Sequence, residues 1–223
     1  MCFSETQSYL NFIILTVASV YVIPHYKLSI PLLFLALKDL IQALSYMKIR
    51  QNESTHLLTV LAWIHISFQP LFVNIFASHF DKTFKYWNIV FFICIIFALY
   101  NLTILKKFDI QNDGNCEKYG KYDDFCSEKT ESYLGKYHIG YKFKTDDTFY
   151  PFYYPLFPIL IIIPSLFTKA RLIGALWFLF IFTIYMIFTN IGEGEIGAIW
   201  CFASILIALP IAIFNKTISK ILH

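Results

Sequence analysis

Three groups of residues carry chemistry that a plain apolar helix has no use for. The first lies in LAWIHISFQPLFVN, residues 61–74, where His65 and Gln69 fall on one helical face at i, i+4. Trp63, Ser67, Pro70 and Asn74 fall on the opposite face, and Ile64, Phe68, Leu71 and Ile75 lie between. An imidazole one turn from a carboxamide can hold a polar solute, relay a proton or ligate a metal, or it can simply be a hydrogen-bonded core histidine. Pro70 cannot donate to Ile66, so the third span is expected to break there, and the carbonyl it frees needs a partner or lines a cavity. The second group is Lys38, Gln42 and Ser45 at i, i+4, i+7, with Asp39 beside them. Two readings stand for it: a gate or ion relay through Asp39, or a Lys38/Asp39 charge pair that locks two helices. The third is NIGEGEIGAIWC, where Glu193 and Glu195 stand among glycines just ahead of Trp200, Cys201 and Ser204. The two carboxylates can form the outer mouth of a pathway, or merely complement the positive end of the helix that follows.

A different chemistry can be assembled from Cys2, His65, Cys201 and a glutamate. With Met1 removed, Cys2 offers an amine and a thiol, and the set could bind a metal or supply a nucleophile. Nothing in the linear spacing gathers them. No CxxC or His/Cys zinc spacing occurs among the five cysteines. DIQNDGNCEKYG begins like a calcium loop, but its twelfth position is Gly120 where a bidentate glutamate is needed. No cofactor is therefore expected, and a metal only under the enzyme alternative.

The elements that must position these residues are apolar helices. The 223-residue chain is 57% apolar, 19% aromatic and 15% charged, outside the range of an ordinary soluble domain. A formal charge of +3 with no basic cluster excludes nucleic acid as a partner. Apolar runs at about 8–25, 28–47, 57–77, 86–105, 151–168, 171–190 and 196–215 each approach the roughly 20 residues that cross a hydrocarbon core. The expected fold is an all-α, seven-span membrane bundle forming one integral membrane domain over 1–223, with 57–77 as its central helix. Residues 1–8 hold no Lys or Arg and no small-residue cleavage site follows, so no removable signal peptide is expected. Tyr9, Tyr21, Tyr46, Trp87 and the FYPFYYP cluster stand near span ends as interfacial anchors.

Lys27, Lys82, Lys85, Lys169, Arg171, Lys216 and Lys220 gather on one side, against Lys48, Arg50, Lys106 and Lys107 on the other. This bias places the C-terminus in the cytosol and the N-terminus and the 108–150 insertion outside or in a lumen. The sequon Asn52-Glu53-Ser54 and the pair Cys116/Cys126 then face an oxidising compartment, where the pair is expected to form a disulfide. The sequons at Asn101 and Asn215 touch span ends and are expected to be silent. Within 108–150, Tyr137, Ile139, Tyr141 and Phe143 alternate with His138, Gly140, Lys142 and Lys144, the pattern of a half-buried strand in a small hairpin.

The opening Met-Cys-Phe-Ser, the aromatic-His-Ile-Ser-Phe-Gln-Pro of the third span and Ile-Trp-Cys in the seventh together resemble an uncharacterised family of small multi-spanning membrane proteins. The resemblance covers the spans, leaves 108–150 unmatched, and implies a membrane role for the N-terminal tetrapeptide and for Trp200-Cys201. It implies no activity. In size and span count the chain is also similar to sugar transporters built from two three-helix repeats, which carry Pro-Gln where this chain has Gln69-Pro70. The leading expectation is a protein that binds or passes a small solute or ion through a polar cavity between the second, third and seventh spans. Asp39, Gln42, His65, Gln69, Trp200 and Ser204 would line that path. The alternatives are an intramembrane metal-dependent enzyme using Cys2, His65 and Cys201, and a scaffold subunit of a membrane assembly. All three have the lipid bilayer as partner and leave an oligomer open.

Overall fold

A computed structural model describes residues 4–104, 129–136, 138–143, 150–169, 171–187 and 205–222. The chain is mostly helical. Helices α1 (Glu5–Tyr21), α2 (Tyr26–Arg50), α3 (His56–Ala77) and α4 (Trp87–Ile104) lead to a hairpin of β1 (Glu131–Leu134) and β2 (Ile139–Lys142). After it come α5 (Tyr150–Leu166), α6 (Arg171–Ile187), α7 (205–213) and α8 (Asn215–Leu222). Each of the seven expected spans overlaps one of α1 to α7. By length and composition, α2 and α3 are long and apolar enough to cross a membrane, and shorter apolar helices run over Trp87–Thr103 and Leu156–Leu166.

Local chemistry explains where the helices start and stop. Ser4 caps α1 by accepting from the Gln7 amide at 3.2 Å, and Glu5 complements the first turn. The chain leaves α1 at Val22, two residues before Pro24. At the end of α2 the Glu53 amide donates to the Lys48 carbonyl and the Asn52 amide to Ile49, at 2.9 and 3.1 Å, with Asn52 left-handed at φ 53. That is a Schellman ending in which asparagine stands where glycine is usual. Pro31 lies in the second turn of α2 and Pro70 deep in α3, and both helices run through them. The expected break at Pro70 is therefore absent. Tertiary packing on both sides of α3 holds the turn that the missing N–H would otherwise open.

Consecutive helices pack as neighbours, α1 on α2, α2 on α3, α3 on α4 and α5 on α6, while α3 also touches α5 and β1. Helix α3 is thus the hub, as its two polar faces require. Trp63, Ser67, Pro70 and Asn74 on one face, and His65 and Gln69 on the other, are all buried, while Ile64, Phe68, Leu71 and Ile75 between them are half-buried. Elsewhere the ordinary pattern of a soluble protein is inverted. Ile13, Val17 and Val20 of α1 and Ile89, Phe92, Ile96 and Leu99 of α4 are exposed, whereas Asn11, Lys38, Asp39, Gln42 and Asn101 are buried.

Ends alternate along the bundle. Glu5 pairs with Arg50, and Thr55 and Thr59 bond Ser132, so the start of α1, the α2–α3 turn and the hairpin share one end. His25 meets His79 with ring centroids 5.3 Å apart, and Asp81 accepts from the Lys169 amide at 3.0 Å. The α1–α2, α3–α4 and α5–α6 connections therefore share the other end.

Candidate functional site

The buried polar side chains of α2 part toward different neighbours. Asp39 turns to α1, where Gln7 donates to Asn11 at 2.8 Å and Asn11 donates to the Asp39 carboxylate at 3.4 Å. The result is a file of polar groups running inward from the Glu5–Arg50 end, each orienting the next. Lys38 turns to the hairpin. Its ammonium donates to the Tyr141 hydroxyl at 3.0 Å and stands 4.2 Å from the centre of that ring. Of the two readings, one runs a relay through Asp39 and the other pairs Asp39 with Lys38; the structure hydrogen-bonds Asp39 to α1 and Lys38 to the hairpin. Ser45 turns back on its own helix, donating to the Ile41 carbonyl at 2.8 Å.

His65 joins α3 to α2. Its Nε2 lies 2.7 Å from the Phe34 carbonyl oxygen. A carbonyl only accepts, so Nε2 must carry the proton, and in a neutral imidazole Nδ1 is then a bare acceptor. That atom is buried and has no hydrogen-bond partner among the described residues. The Phe34 ring is sandwiched between His65 and Phe72, with centroids 3.8 Å away on each side. Beyond it, Gln69, Phe34, Pro31 and Phe72 line a cleft with Trp177 of α6 and Ala208 of α7. The cleft measures about 20 Å³, the space of a water molecule.

The opposite face of α3 is a set of cross-links. Asn74 donates to the Leu160 carbonyl of α5 and to Pro70, both at 2.8 Å, and Trp63 donates to the Asn101 carbonyl of α4 at 3.1 Å. Cys94 beside Asn74 is a free, buried thiol. Asn101 is fully buried, which fits the silence expected of its sequon, whereas Asn52 is exposed.

Asp39, Gln42, His65 and Gln69 are thus each buried at the junctions of α2 with α1 and α3. Trp200, Ser204, Glu193, Glu195, Cys2, Cys201, Cys116 and Cys126 lie outside the described residues, so neither the outer mouth, the seventh-span wall, the metal set nor the disulfide can be placed. Among the described residues no three His, Cys, Asp or Glu side chains gather to hold a metal. Sequence reasoning missed Asn11, though a polar pair at i, i+4 at the start of α1, Gln7 and Asn11, could have given it. It also missed Tyr141 as a partner of Lys38, because strand periodicity reports a buried face and not what lies across it.

No curated protein and no solved structure matches this sequence. A family model does, over residues 10–223. The chain belongs to DUF5765, a family of unknown function. Membership in DUF5765 takes in every helix but the first turns of α1, and the match spans the 108–150 segment that the sequence resemblance leaves aside. The Met-Cys-Phe-Ser opening lies ahead of it.

His138, at the hairpin turn, makes one consequence measurable. Its Nδ1 accepts from the Ile139 amide at 2.7 Å and faces the Tyr46 hydroxyl at 3.5 Å. Burial, and then the Lys38 charge, push its pKa from 6.5 down to about 3. A depressed histidine pKa favours the docked hairpin fully above 6.5, and the advantage is lost as the undocked, exposed imidazole takes up a proton below that. At pH 5 the loss is about 2 kcal/mol. Amide exchange of residues 139–142 should therefore accelerate between pH 7.5 and 5 beyond the intrinsic pH effect, and His138→Asn should remove that excess.

Proposed function

We propose that this chain is a seven-span integral membrane protein that binds or passes a small solute or ion between α2, α3 and the seventh span. The hairpin end lies outside or in a lumen, and the end carrying His79 and Asp81 faces the cytosol. What supports membrane insertion is the inverted surface, with isoleucine, valine and phenylalanine exposed over α1 and α4 while charged and amide side chains are enclosed. What supports the sidedness is that Lys27, Lys82, Lys85 and Lys169 lie in the connections at the end joined by His25–His79 and Asp81–Lys169. The same sidedness keeps Cys116 and Cys126 in an oxidising compartment, where their bridge would stabilise the insertion by roughly 2–3 kcal/mol.

The observation that carries the functional reading is His65. A histidine kept only as a helix-to-helix tie needs one nitrogen, and the Phe34 carbonyl takes it. The other, enclosed one turn from the Gln69 cleft, meets no hydrogen-bond partner among the described residues. Such an atom accepts a hydrogen bond from a passing solute without first giving up a partner.

The test is uptake of a panel of labelled small solutes, together with ion currents, in vesicles reconstituted with the wild type, His65→Ala and Asp39→Asn. A wild-type flux reduced about tenfold or more by either substitution is expected, the equivalent of one hydrogen bond to a charged or polar group. Flux that both variants leave unchanged would sink the reading.

A further inference from the structure

We propose that the β1–β2 hairpin is a plug that closes the near end of the α2–α3 junction, and that Lys38 and Tyr141 form its latch. The inference rests on the junction being the solute path, and it names what controls entry.

The hairpin is seated rather than laid on the surface. Ile139, Tyr141 and Phe143 form one inward row, and all are fully buried against Tyr46, Ala62 and Trp63. Lys38 lies twelve residues before Arg50, the end of α2, which at 1.5 Å per residue is about 18 Å along the helix. Tyr141 therefore meets a residue in the middle of a membrane-length helix. Around the row a polar rim holds the strands. The Ser132 amide donates to Thr55 Oγ1 at 2.8 Å, Ser132 and Thr59 share a hydrogen bond at 2.7 Å, and His56 Nδ1 lies 3.2 Å from the Thr130 carbonyl.

What makes this element a gate is its size. Four residues pair with four, Glu131 with Lys142 through Leu134 with Ile139. A two-stranded hairpin of that length is marginal alone and owes its order to docking. Its turn is exposed at Lys136, and Leu134 faces out. It is the small, separately held unit that opens while the helices stay packed. Lifting it uncovers Lys38, which is fully buried beneath Tyr141, and Gln42, also fully buried, follows one turn on along the same helical face.

The experiment measures opening and needs no knowledge of the solute. Ala62→Cys places a small thiol under the hairpin, and Ala77→Cys places one in the separate core cluster nearer the other end. The purified full chain in nanodiscs is treated with a water-soluble methanethiosulfonate, and modification is read at each introduced thiol by peptide mass spectrometry. Tyr141→Phe removes only the latch hydroxyl and keeps the ring. It should speed labelling in the Ala62→Cys background about tenfold or more, the usual effect of losing one hydrogen bond to a charged group, and leave labelling in the Ala77→Cys background unchanged. Amide exchange over Ile139–Lys142, which needs no cysteine beneath the hairpin, should rise in parallel. Equal labelling rates under the hairpin with and without the hydroxyl would overturn the plug, as would acceleration of both reporters together. A plug that opens in a protein showing no flux would count against the solute path alone, and flux with a hairpin that never opens would count against the plug alone.

Discussion

Trp63→Ala is expected to lower the stability of the folded bundle by about 3–4 kcal/mol, the range for truncating a buried tryptophan. The side chain is 1% exposed and joins three elements at once. It fills α3, donates to the Asn101 carbonyl of α4 at 3.1 Å, and packs on Phe143 beyond β2 at 4.7 Å between ring centroids. In a lipid environment the transfer part of this cost shrinks, because hydrocarbon solvates an indole better than water does, but the cavity and the unfilled carbonyl remain. Trp63→Phe keeps most of the volume and should cost about 1 kcal/mol, the hydrogen bond alone. Denaturant titration in mixed micelles, followed by far-ultraviolet circular dichroism, measures both. A Trp63→Ala midpoint within error of the wild type would mean that the hairpin and α4 do not depend on this residue.

The second large effect is expected at the opposite end. Asp81 accepts from the Thr83 hydroxyl at 2.7 Å, from the amides of Thr83 and Phe84 at 2.9 and 3.2 Å, and from the Lys169 amide at 3.0 Å. Burial alone would raise its pKa, but the hydrogen bonds from Thr83, Lys169 and Phe84 outweigh it and hold the carboxyl below its ordinary 3.8. One carboxylate so shapes the α3–α4 turn and fastens it to the α5–α6 connection. Asp81→Ala leaves three amides without their acceptor and should cost about 3 kcal/mol. Asp81→Asn keeps an oxygen for Thr83 and Phe84 but presents a donor to the Lys169 amide, so about half that loss is expected. The sign with pH follows from the depressed value. This contribution is complete above 3.8 and fades as acid protonates the carboxyl below it. The same micelle titration checks the ratio of the two variants.

Much of this arrangement is legible in the residues, and the reasons differ from part to part. The helices follow from unbroken apolar runs, and the hub role of α3 follows from the i, i+4 spacing of two polar faces. The alternation of Ile139, Tyr141 and Phe143 gives a half-buried strand directly. Partners are another matter. Asp39 with Asn11, and Lys38 with Tyr141, are separated by 28 and 103 residues, and periodicity says which side of a helix is buried without saying against what. Pro70 misleads for a related reason. A proline breaks a helix whose freed turn meets solvent, and this one is enclosed by α2, α4 and α5. Asp81 is the plainest miss, since Asp-x-Thr is an ordinary turn signal and only the fold shows that the α5–α6 connection also leans on it.

Sidedness in intact cells is the measurement that bears most directly on the path between α2 and α3. For the basic residues, the path and the plug to stand as placed, the hairpin end and the Asp81 end must lie on opposite faces of one bilayer. An impermeant probe directed to a tag in the 108–150 segment should react with intact cells. A tag after His223 should react only once the membrane is permeabilised. Both tags reached without permeabilisation, or the reverse order, would contradict the crossing of the helices or their direction, and with it the path between α2 and α3.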